Sequence, residues 1–342
     1  MRKILHISPL DKFISPYIEF VKTHFAFEEH AFVLIGDINM FPVKLESNIY
    51  LCNRKMQIFP LIWKMIFARK IILHSLCVPR IVKLLAIQPW LLNKCYWLIW
   101  GGDLYHYNMR AKTPESDKYE ATRAFVIKRI GHLVTYVKGD YHLAQEWYST
   151  RGLHHKCLLY TSNIYTELAV PPKTGKTINV LVGNSAAPTN EHMEILEKLA
   201  VFKDANMVIY CPLSYGGTDL YIKKIVEKGK ELFSNNFIPL TEYMHLPMYL
   251  DLLGQIDIAV FAHRRQQAMG NTITLLGLGK KVFMRRDVAQ WPLFTGVGVK
   301  VFDVDSIDIN PIDQQTALAN KKNIAERFSE KRLIADYQEI FK

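Results

Sequence analysis

The sequence predicts an α/β protein built from two parallel-sheet domains, and three features of the chain indicate this fold class. Short apolar segments alternate with helical segments up to about residue 302, as in parallel sheets covered on both faces. A stretch rich in proline and glycine, residues 171–175, is the clearest linker. A long helical pattern, 317–341, follows the second series. We therefore expect domains at 1–170 and 171–316, and a C-terminal helix, 317–342, that returns to the first domain.

The composition suits two domains and an anionic partner. The chain has 342 residues, 49% of them hydrophobic, which is enough for two cores. Its net charge of +11 predicts binding to a nucleotide, an anionic lipid or a nucleic acid. The five cysteines form no C-x-x-C pair, so we expect reduced thiols in the cytoplasm. The first residues do not resemble a signal peptide, and no charge-free run reaches the roughly 18 residues of a spanning helix.

Loops of the first domain carry candidate functional residues. The predicted strands are 3–7, 31–35, 71–74, 95–100, 133–137 and 158–160. Asp103 and Tyr105 follow the fourth strand, and Lys138 and Asp140 follow the fifth. The carboxyl ends of parallel strands meet at one edge, where ligands bind. Asp103 either binds a sugar hydroxyl and takes its proton, or caps the next helix. Residues 106–120 look like a loop.

One segment of the first domain is basic and contains no acid. Between Ser47 and Gly102 there is no Asp or Glu, whereas eight residues are Lys or Arg and several are Trp or Phe. This mixture is typical of helices that lie on anionic lipid. The strands 71–74 and 95–100 are expected in the core, so the helices 61–68 and 80–92 are the candidates for membrane contact.

The second domain repeats the alternation of strands and helices. Its predicted strands are 177–182, 207–212, 237–239, 256–261, 281–284 and 299–302. The turn Gly183, Asn184 and Ser185 after the first strand can hold a phosphate or a sugar. Tyr215 follows the second strand and Glu242 the third. We expect the nucleobase of a nucleotide to pack near Glu242.

The loop after the strand 256–261 has the character of a diphosphate pocket. Arg264 and Arg265 offer forked cations, and a helix that starts at Asn271 or Thr272 would add backbone N–H groups. Amide side chains and a glycine complete the loop: Gln266, Gln267, Gly270 and Asn271. The alternative is a solvated basic loop between two core elements. The residue types alone leave both interpretations open.

Four segments of the chain form a set of motifs in a fixed order. The pattern R-Q-Q-x-x-G-x-x-x-x-L-L-x-x-G covers residues 265–279. The others are W-L-I-W-G-G-D-L-Y at 97–105, K-R-I-G with K-G-D at 128–140, and L-V-G-N-S-x-x-x-T-N-E-H at 181–192. In their order and spacing, these segments resemble glycosyltransferase family 56, the bacterial 4-acetamido-4,6-dideoxygalactose (Fuc4NAc) transferases of enterobacterial common antigen synthesis. The resemblance runs from the first strand to about residue 302.

The resemblance implies a GT-B glycosyltransferase, with two Rossmann-like domains that face a cleft. The second domain would bind a nucleotide-sugar such as a dTDP-sugar through the residues Gly183, Asn184, Ser185, Tyr215, Glu242, Arg264, Arg265, Gln266, Gln267, Gly270, Asn271 and Thr272. The first would bind a polyprenyl-diphosphate-linked saccharide at the cytoplasmic face of the inner membrane, through Asp103, Tyr105, Lys138 and Asp140. Asp103 and Arg265 would be catalytic. We expect no metal cofactor, since basic residues would neutralise the leaving diphosphate.

Two other functions remain to be weighed. A nucleotide-sugar epimerase of the same fold needs the donor pocket but no acceptor surface, and the basic acid-free segment argues against it. A nucleic-acid-binding protein would fit the net charge of +11. Its basic residues should form one stripe with exposed stacking rings, whereas the aromatic residues here fall mostly inside apolar runs. We therefore expect no nucleic-acid partner.

Overall fold

The computed structural model describes residues 3–167, 170–171, 173 and 175–342, so Pro172 and Thr174 of the predicted linker lie outside the described residues. The chain forms two compact units. The N-terminal unit is Met1–Asn163 with Glu330–Lys342, and the C-terminal unit is Ile164–Ser329. The divisions therefore follow Asn163 and Ser329, whereas the sequence analysis placed them after residues 170 and 316.

A parallel sheet forms the centre of the N-terminal unit. In the described chain it consists of β1 (Ile4–Pro9), β2 (His30–Ile35), β3 (Ile49–Leu51), β4 (Lys70–His74), β5 (Cys95–Leu98), β6 (His132–Val134) and β7 (Leu153–His155). The strand order is β3-β2-β1-β4-β5-β6-β7. The chain thus builds outward from β1 in one direction and then crosses back to continue from β4. Ile4 pairs with His30 on one side and with Lys70 on the other.

The predicted strand 158–160 is wrong, and the last strand of this sheet is β7. Leu159 has a φ of 71°, in the left-handed region, which an extended strand does not allow. Tyr160 instead donates its backbone N–H to the carbonyl of Leu158. The segment is apolar because it is buried, as Leu158, Leu159 and Tyr160 all are. An apolar segment without an alternating pattern indicates burial, but it does not distinguish a strand from an irregular segment of the core.

Six helices of the N-terminal unit precede the C-terminal unit in the chain. They are α1 (Ile14–His24), α2 (Ile58–Phe67), α3 (Pro79–Ala86), α4 (Gly102–Met109), α5 (Pro114–Arg129) and α6 (Lys138–Tyr148). The predicted loop 106–120 is largely helical, because Thr113 caps α5 through Ser116 N and Pro114 takes its first position. Every helix in the described residues falls short of the length and apolar character needed to cross a membrane.

The C-terminal unit contains a second parallel sheet. Its described strands are β8 (Ile178–Val182), β9 (Met207–Pro212), β10 (Phe237–Leu240), β11 (Ile258–Phe261), β12 (Lys281–Met284) and β13 (Phe302–Asp303). They lie in the order β10-β9-β8-β11-β12-β13. The helices are α7 (His192–Leu199), α8 (Asp219–Phe233), α9 (Leu246–Gln255), α10 (Met269–Gly277), α11 (Gln290–Thr295) and α12 (Gln314–Arg327).

The predicted long C-terminal helix is two helices, and each belongs to a different unit. The side chain of Asn320 on α12 bonds to both backbone groups of Lys300 in the C-terminal unit. The second helix, α13 (Glu330–Phe341), belongs to the N-terminal unit. There the hydroxyl of Tyr337 donates to the carbonyl of Leu159 at 2.7 Å. The division therefore falls thirteen residues later than expected, between α12 and α13.

Basic side chains hold the last turn of α13. Arg69 donates to the carbonyl of Phe341, and Lys70 donates to that of Ile340, each at 2.6 Å. The carbonyl groups of a final helical turn have no intrahelical donor, so these two cations satisfy them and complement the helix dipole. The ring of Phe341 packs edge-on against His30, with centroids 4.6 Å apart.

Candidate functional site

The C-terminal sheet changes direction between its two central strands. From β8 the chain proceeds to β9 and β10 on one side, and from β11 it proceeds to β12 and β13 on the other. Loops that follow two such strands diverge and leave a crevice at the carboxyl edge, which is the usual ligand site of open α/β sheets. The Gly183 turn follows β8, and the loop with Arg264 and Arg265 follows β11.

Direct hydrogen bonds join three of the predicted donor residues at this edge. The side-chain amide of Gln267 donates to Asn184 Oδ1 at 2.8 Å, and Asn184 Nδ2 donates to the hydroxyl of Tyr215 at 3.2 Å. Asn184 and Gln267 are mostly buried, whereas Tyr215 is half exposed. Loops after β8, β9 and β11 are therefore tied into one polar group, which we call the switch-point cluster.

The turn after β8 requires glycine. Gly183 has a φ of 69°, and a Cβ there would lie 2.7 Å from His192 Nε2 and 2.8 Å from Asn190 Oδ1. The same Asn190 oxygen accepts the backbone N–H of Asn184 at 2.9 Å. Ser185 is buried, with its hydroxyl 3.4 Å from the backbone nitrogen of Ala187. These contacts fix the path of the turn.

The helix α10 begins earlier than the sequence indicated. Its N-cap is Ala268, which has a φ of 56° and no side-chain cap, so the predicted cap at Asn271 or Thr272 is wrong. The first intrahelical bond joins Thr272 N to Ala268 O, at 2.9 Å. The preceding N–H groups, of Met269, Gly270 and Asn271, therefore have no acceptor within the helix. Such groups at a helix start favour a phosphate.

Asn271 and Thr272 have local contacts inside the first turn of α10. Asn271 Nδ2 donates to the hydroxyl of Tyr249 at 2.8 Å. Thr272 is buried, and its hydroxyl donates to the carbonyl of Ala268 at 3.0 Å. Thr272 thus stabilises the left-handed corner at Ala268 instead of capping the helix.

The two arginines of the loop differ in their surroundings. Arg264 is largely exposed and pairs through Nε with Glu191 Oε1 at 2.6 Å. Arg265 is half-buried and donates to the carbonyl of Gln266 at 3.1 Å, while the Gln266 side chain is also half-buried. Burial first, and then the charge of Arg265, lowers the pKa of His263 to about 3. Of the two arginines, Arg265 is the one whose charge acts on His263.

Sequence reasoning missed the residues beneath the cluster. His263 Nε2 lies 2.8 Å from Asn190 Oδ1. Asn190 Nδ2 donates to the carbonyl of Ala187, so its oxygen must be the acceptor and His263 Nε2 must carry the proton. Asn190 and His192 lie inside the recognised motif at 181–192, which was the available signal. No sequence signal marked Gln290, whose amide donates to the carbonyl of Gln267 at 2.7 Å.

Glu242 stands apart from the cluster. It is exposed in the turn after β10, and β10 is the edge strand, two positions from β8. The structure therefore brings Asn184, Tyr215 and Gln267 together but does not bring Glu242 into contact with them.

The sequence contains one D-x-D triplet, a pattern that can bind metals, at Asp303 and Asp305 in and after β13. Arg286 Nε contacts Asp303 at 2.6 Å, and Lys198 Nζ contacts Asp305 at 2.7 Å. Asp303 also caps the short helical turn that follows it. Both carboxylates thus have cationic partners, and β13 is the other edge of the sheet.

Asp103 lies in the interior, where its contacts favour the structural alternative over the predicted role in acceptor binding. Its side chain is 1% exposed. One oxygen accepts from Leu76 N at 2.9 Å and from Trp97 Nε1 at 2.6 Å. The other accepts from the backbone of Trp100 and Leu104, each at 2.9 Å. Four donors saturate the carboxylate, so it fastens the corner between β5 and α4 and offers nothing to an acceptor.

The other predicted acceptor residues are only partly accessible. Tyr105 donates its hydroxyl to Asp140 Oδ1 at 3.2 Å, and both residues are buried. Lys138, at the start of α6, is exposed. The structure therefore brings Tyr105 and Asp140 together in the interior of the N-terminal unit and leaves Lys138 facing solvent.

Asp11 is a carboxylate that the sequence analysis missed. It lies in the loop between β1 and α1, is half-buried, and accepts the backbone N–H of Phe13 at 2.8 Å. Burial raises its pKa to about 6, against the opposing effects of the Phe13 and Ile14 N–H groups and of Lys12. A carboxyl group with a pKa near 6 can exchange a proton near neutral pH. No motif drew attention to it, because its burial depends on the folded sheet edge.

A family model matches most of the chain. The family described as 4-alpha-L-fucosyltransferase, glycosyl transferase group 56, matches residues 68–341. The match begins directly after α2 and includes the segment at 97–105, the switch-point cluster and α13. The chain therefore belongs to glycosyltransferase group 56 and is a transferase, as the resemblance predicted.

Solved structures of glycosyltransferases share the fold. The glycosyltransferase WaaG, involved in lipopolysaccharide biosynthesis, has a TM-score of 0.64 at 11% identity, with 98% of each chain covered. A glycosyltransferase from Rickettsia africae ESF-5 has a TM-score of 0.63 at 14% identity, covering 100% of this chain and 98% of its own. Anabaena HepE, solved in complex with UDP, has a TM-score of 0.63 at 13% identity, covering 99% and 98%. The predicted GT-B fold is confirmed.

Proposed function

We propose that this group 56 glycosyltransferase moves a deoxyamino sugar of the Fuc4NAc type from a dTDP-sugar to a polyprenyl-diphosphate-linked saccharide. The reaction would serve bacterial surface polysaccharide synthesis, such as that of enterobacterial common antigen, at the cytoplasmic face of the inner membrane. The observation that carries the proposal is the switch-point cluster, in which Gln267, next to the N-cap of α10, is hydrogen-bonded to Asn184 and through it to Tyr215. The family description supports a 6-deoxy sugar, and the UDP complex of HepE supports a nucleotide donor.

The donor's diphosphate would lie at the start of α10. The N–H groups of Met269, Gly270 and Asn271 lack intrahelical acceptors and can bind phosphate oxygens. Arg265 would add a bidentate cation, and the exposed Arg264 could exchange its partner Glu191 for a phosphate. As the bond between the anomeric carbon and the phosphate breaks, these groups stabilise the charge that develops on the departing nucleoside diphosphate. Because the protein supplies this charge, we propose that no metal cofactor is needed.

The neutral side chains of the switch-point cluster would orient the sugar and the turn around it. Asn184 and Gln267 share one hydrogen bond, which leaves capacity on each amide for a sugar hydroxyl. The half-exposed ring of Tyr215 can pack on the donor. Gly183 and Ser185 would allow the donor to approach the backbone of the turn closely, since hydrogen bonds with the Asn190 side chain hold the turn in place.

For the acceptor, we propose Asp11 in the place that the sequence analysis gave to Asp103. The ionised carboxylate would take the proton of the attacking hydroxyl, whose oxygen forms the new bond to the anomeric carbon. Lys138 is exposed at the same sheet edge, following β6, and could bind an acceptor phosphate. Tyr105 and Asp140 would support α4 and α6 from the interior.

The direct test offers the protein a panel of donors with and without acceptor. We expect dTDP-linked Fuc4NAc to be consumed only when a polyprenyl-diphosphate disaccharide is present, without loss of activity in EDTA. UDP-sugars and GDP-fucose serve as matched controls. Turnover of GDP-fucose alone would reassign the nucleotide, and conversion of the donor to an epimer without acceptor would replace transfer by epimerisation.

A further inference from the structure

The N-terminal unit exposes an unusual concentration of large apolar side chains on and around α2. Of the ten residues in this helix only Leu61 and Met65 are buried. Phe59, Trp63 and Phe67, spaced four residues apart, are 73%, 63% and 54% exposed. That spacing places them along one side of a helix. The helix therefore turns its larger apolar side to solvent, which is the reverse of a core-packed helix.

Neighbouring elements extend this surface. Trp63 and Phe67 stack with their ring centroids 5.1 Å apart. Lys94, at the end of the 3₁₀ helix Pro89–Lys94, donates to the carbonyls of Ile66 and Ala68 and so ties that helix to the end of α2. Further exposed apolar residues belong to the same region: Met56, Ile66, Ile87 and Trp90. We call this set, with Phe59, Trp63 and Phe67, the α2 face.

The segment that carries the α2 face has charged side chains of a single sign. No Asp or Glu occurs between Ser47 and Gly102. The contacts that the structure gives to nearby cations are with neutral groups. Lys64 lies 3.7 Å above the ring of Tyr50, and Arg80 donates to the carbonyls of Cys52 and Asn53. Lys83 is exposed on α3. Carbonyl groups and rings leave the positive charge uncompensated, so the face attracts anions.

We propose that the α2 face lies on an anionic lipid bilayer. Phe59, Trp63, Phe67 and Trp90 would enter the boundary between headgroups and acyl chains, and Lys64, Arg80 and Lys83 would contact the acidic headgroups. Basic residues bordering exposed Trp and Phe are the pattern of interfacial helices. A second copy of the chain fits poorly, because two such faces would bring like charges together. The inference rests on the proposed function only in that a lipid-linked acceptor gives this contact a purpose.

The experiment measures co-sedimentation of the full chain with vesicles. We expect binding to vesicles that contain phosphatidylglycerol and little binding to pure phosphatidylcholine. The double variants Phe59→Ser with Trp63→Ser, and Lys64→Glu with Lys83→Glu, should each reduce partitioning at least about tenfold. Arg69 is left unchanged, because it holds α13. Matched controls in the C-terminal unit, Val201→Ser with Leu318→Ser and Lys203→Glu with Lys224→Glu, alter exposed residues and should bind like the wild type.

A spectroscopic measurement separates insertion from simple charge attraction. Lipids with quenching groups on their acyl chains should quench tryptophan fluorescence of the bound protein. Trp63→Phe with Trp90→Phe should lose most of this quenching while still sedimenting, since Phe keeps the apolar surface. Unchanged sedimentation of the Phe59→Ser, Trp63→Ser variant would overturn the proposal. So would a concentration-dependent dimer of the wild type that this variant abolishes, because the face would then be a contact between copies.

The outcome is independent of the sugar chemistry. Vesicle binding requires neither donor nor acceptor, so it would remain if the donor assignment failed. Conversely, transfer to a short-chain, water-soluble acceptor should be unchanged in all five double variants. Loss of that soluble activity, with vesicle binding intact, would show that α2 serves the reaction and not the membrane.

Discussion

The hydroxyl oxygen of Tyr160 lies 2.6 Å from Nδ1 of His74, in the interior of the N-terminal unit. Trp100 Nε1 donates to the same hydroxyl at 2.8 Å. An indole can only donate, and a Tyr160 hydroxyl that accepts from it can donate its own proton to His74. His74 Nε2 then donates to His6 Nδ1 at 3.2 Å, and His6 Nε2 donates to His30 Nδ1 at 2.9 Å. This direction of donation gives all three neutral imidazoles mutually consistent tautomers.

This series of hydrogen-bonded histidines predicts that the folded protein loses stability in acid. Burial lowers the pKa of His74 to about 3 and that of His30 to about 4, and it lowers the pKa of His6 as well. Unfolded histidine has a pKa of about 6.5. As the pH falls below about 6.5, these histidines therefore bind protons in the unfolded protein but stay neutral in the folded protein. Each histidine should then remove about 1.4 kcal/mol of unfolding free energy per pH unit, measurable by urea denaturation between neutral pH and pH ~4.5.

Two variants identify the source of that slope. His30→Phe removes the last histidine of the hydrogen-bonded series. It should flatten the pH dependence of the unfolding free energy, although it lowers stability at neutral pH. His142→Gln, at an exposed position on α6, should leave the slope unchanged. If the unfolding free energy changes with pH by the same slope in both variants, the buried histidines do not control the sensitivity to acid.

Arg265→Ala should weaken donor turnover at least about tenfold with little change in melting temperature. A charged hydrogen bond to the diphosphate is worth about 1.5–3 kcal/mol, and tenfold corresponds to about 1.4 kcal/mol. Arg264→Ala is the matched control, because Arg264 already pairs with Glu191 at the surface and should cost less. Steady-state kinetics with varied donor measures both. Wild-type kinetics in Arg265→Ala would remove this residue from the donor site.

Asp11→Asn should reduce transfer by about 10²–10⁴-fold, as expected for the loss of a general base. Donor binding, followed by thermal shift with the dTDP-sugar, should be retained. In the wild type, the base must be ionised, so transfer should fall as pH drops below the Asp11 pKa of about 6. The variant should lack this inflection. A variant that keeps the same pH profile would exclude Asp11 as the titrating group.

Asp103→Asn should destabilise the N-terminal unit. The carboxylate accepts four hydrogen bonds, from Leu76, Trp97, Trp100 and Leu104. In Asp103→Asn an amide NH₂, which is a donor, replaces one oxygen, so the N–H groups that this oxygen accepted lose their acceptor. A buried group left unsatisfied costs about 1–3 kcal/mol of stability. Thermal melting should show the loss. A variant with normal melting and selectively impaired transfer would restore the acceptor role that the sequence suggested.

Sequence reasoning predicted the parts of the fold that depend on local pattern. The alternation of apolar strands with helices gave both parallel sheets, and the topology rule gave the edge at which Gly183, Asn184 and Gln267 meet. Four ordered motifs gave the family. These features follow from neighbouring residues, whose periodicity the sequence displays.

The errors concern features set by distant contacts. The Asp103 carboxylate is occupied by Leu76, 27 residues away, which no local pattern reveals. The start of α10 depends on a left-handed alanine, Ala268, a conformation that alanine rarely adopts and that its surroundings impose. Asp11 gained its raised pKa from burial at the sheet edge. Each of these three features depends on the folded surroundings of the residue and not on the residue type.

The position of α13 has a consequence for how the protein is made. The C-terminal unit, Ile164–Ser329, is one continuous segment, whereas the N-terminal unit needs Tyr337 and Phe341 to complete its core. On a ribosome, domains fold as units as they emerge. The unit that begins the chain must therefore wait, with an open core, until translation has passed through the other unit. We therefore expect the N-terminal unit to be completed after the C-terminal unit, and the residues that α13 covers to need protection until then.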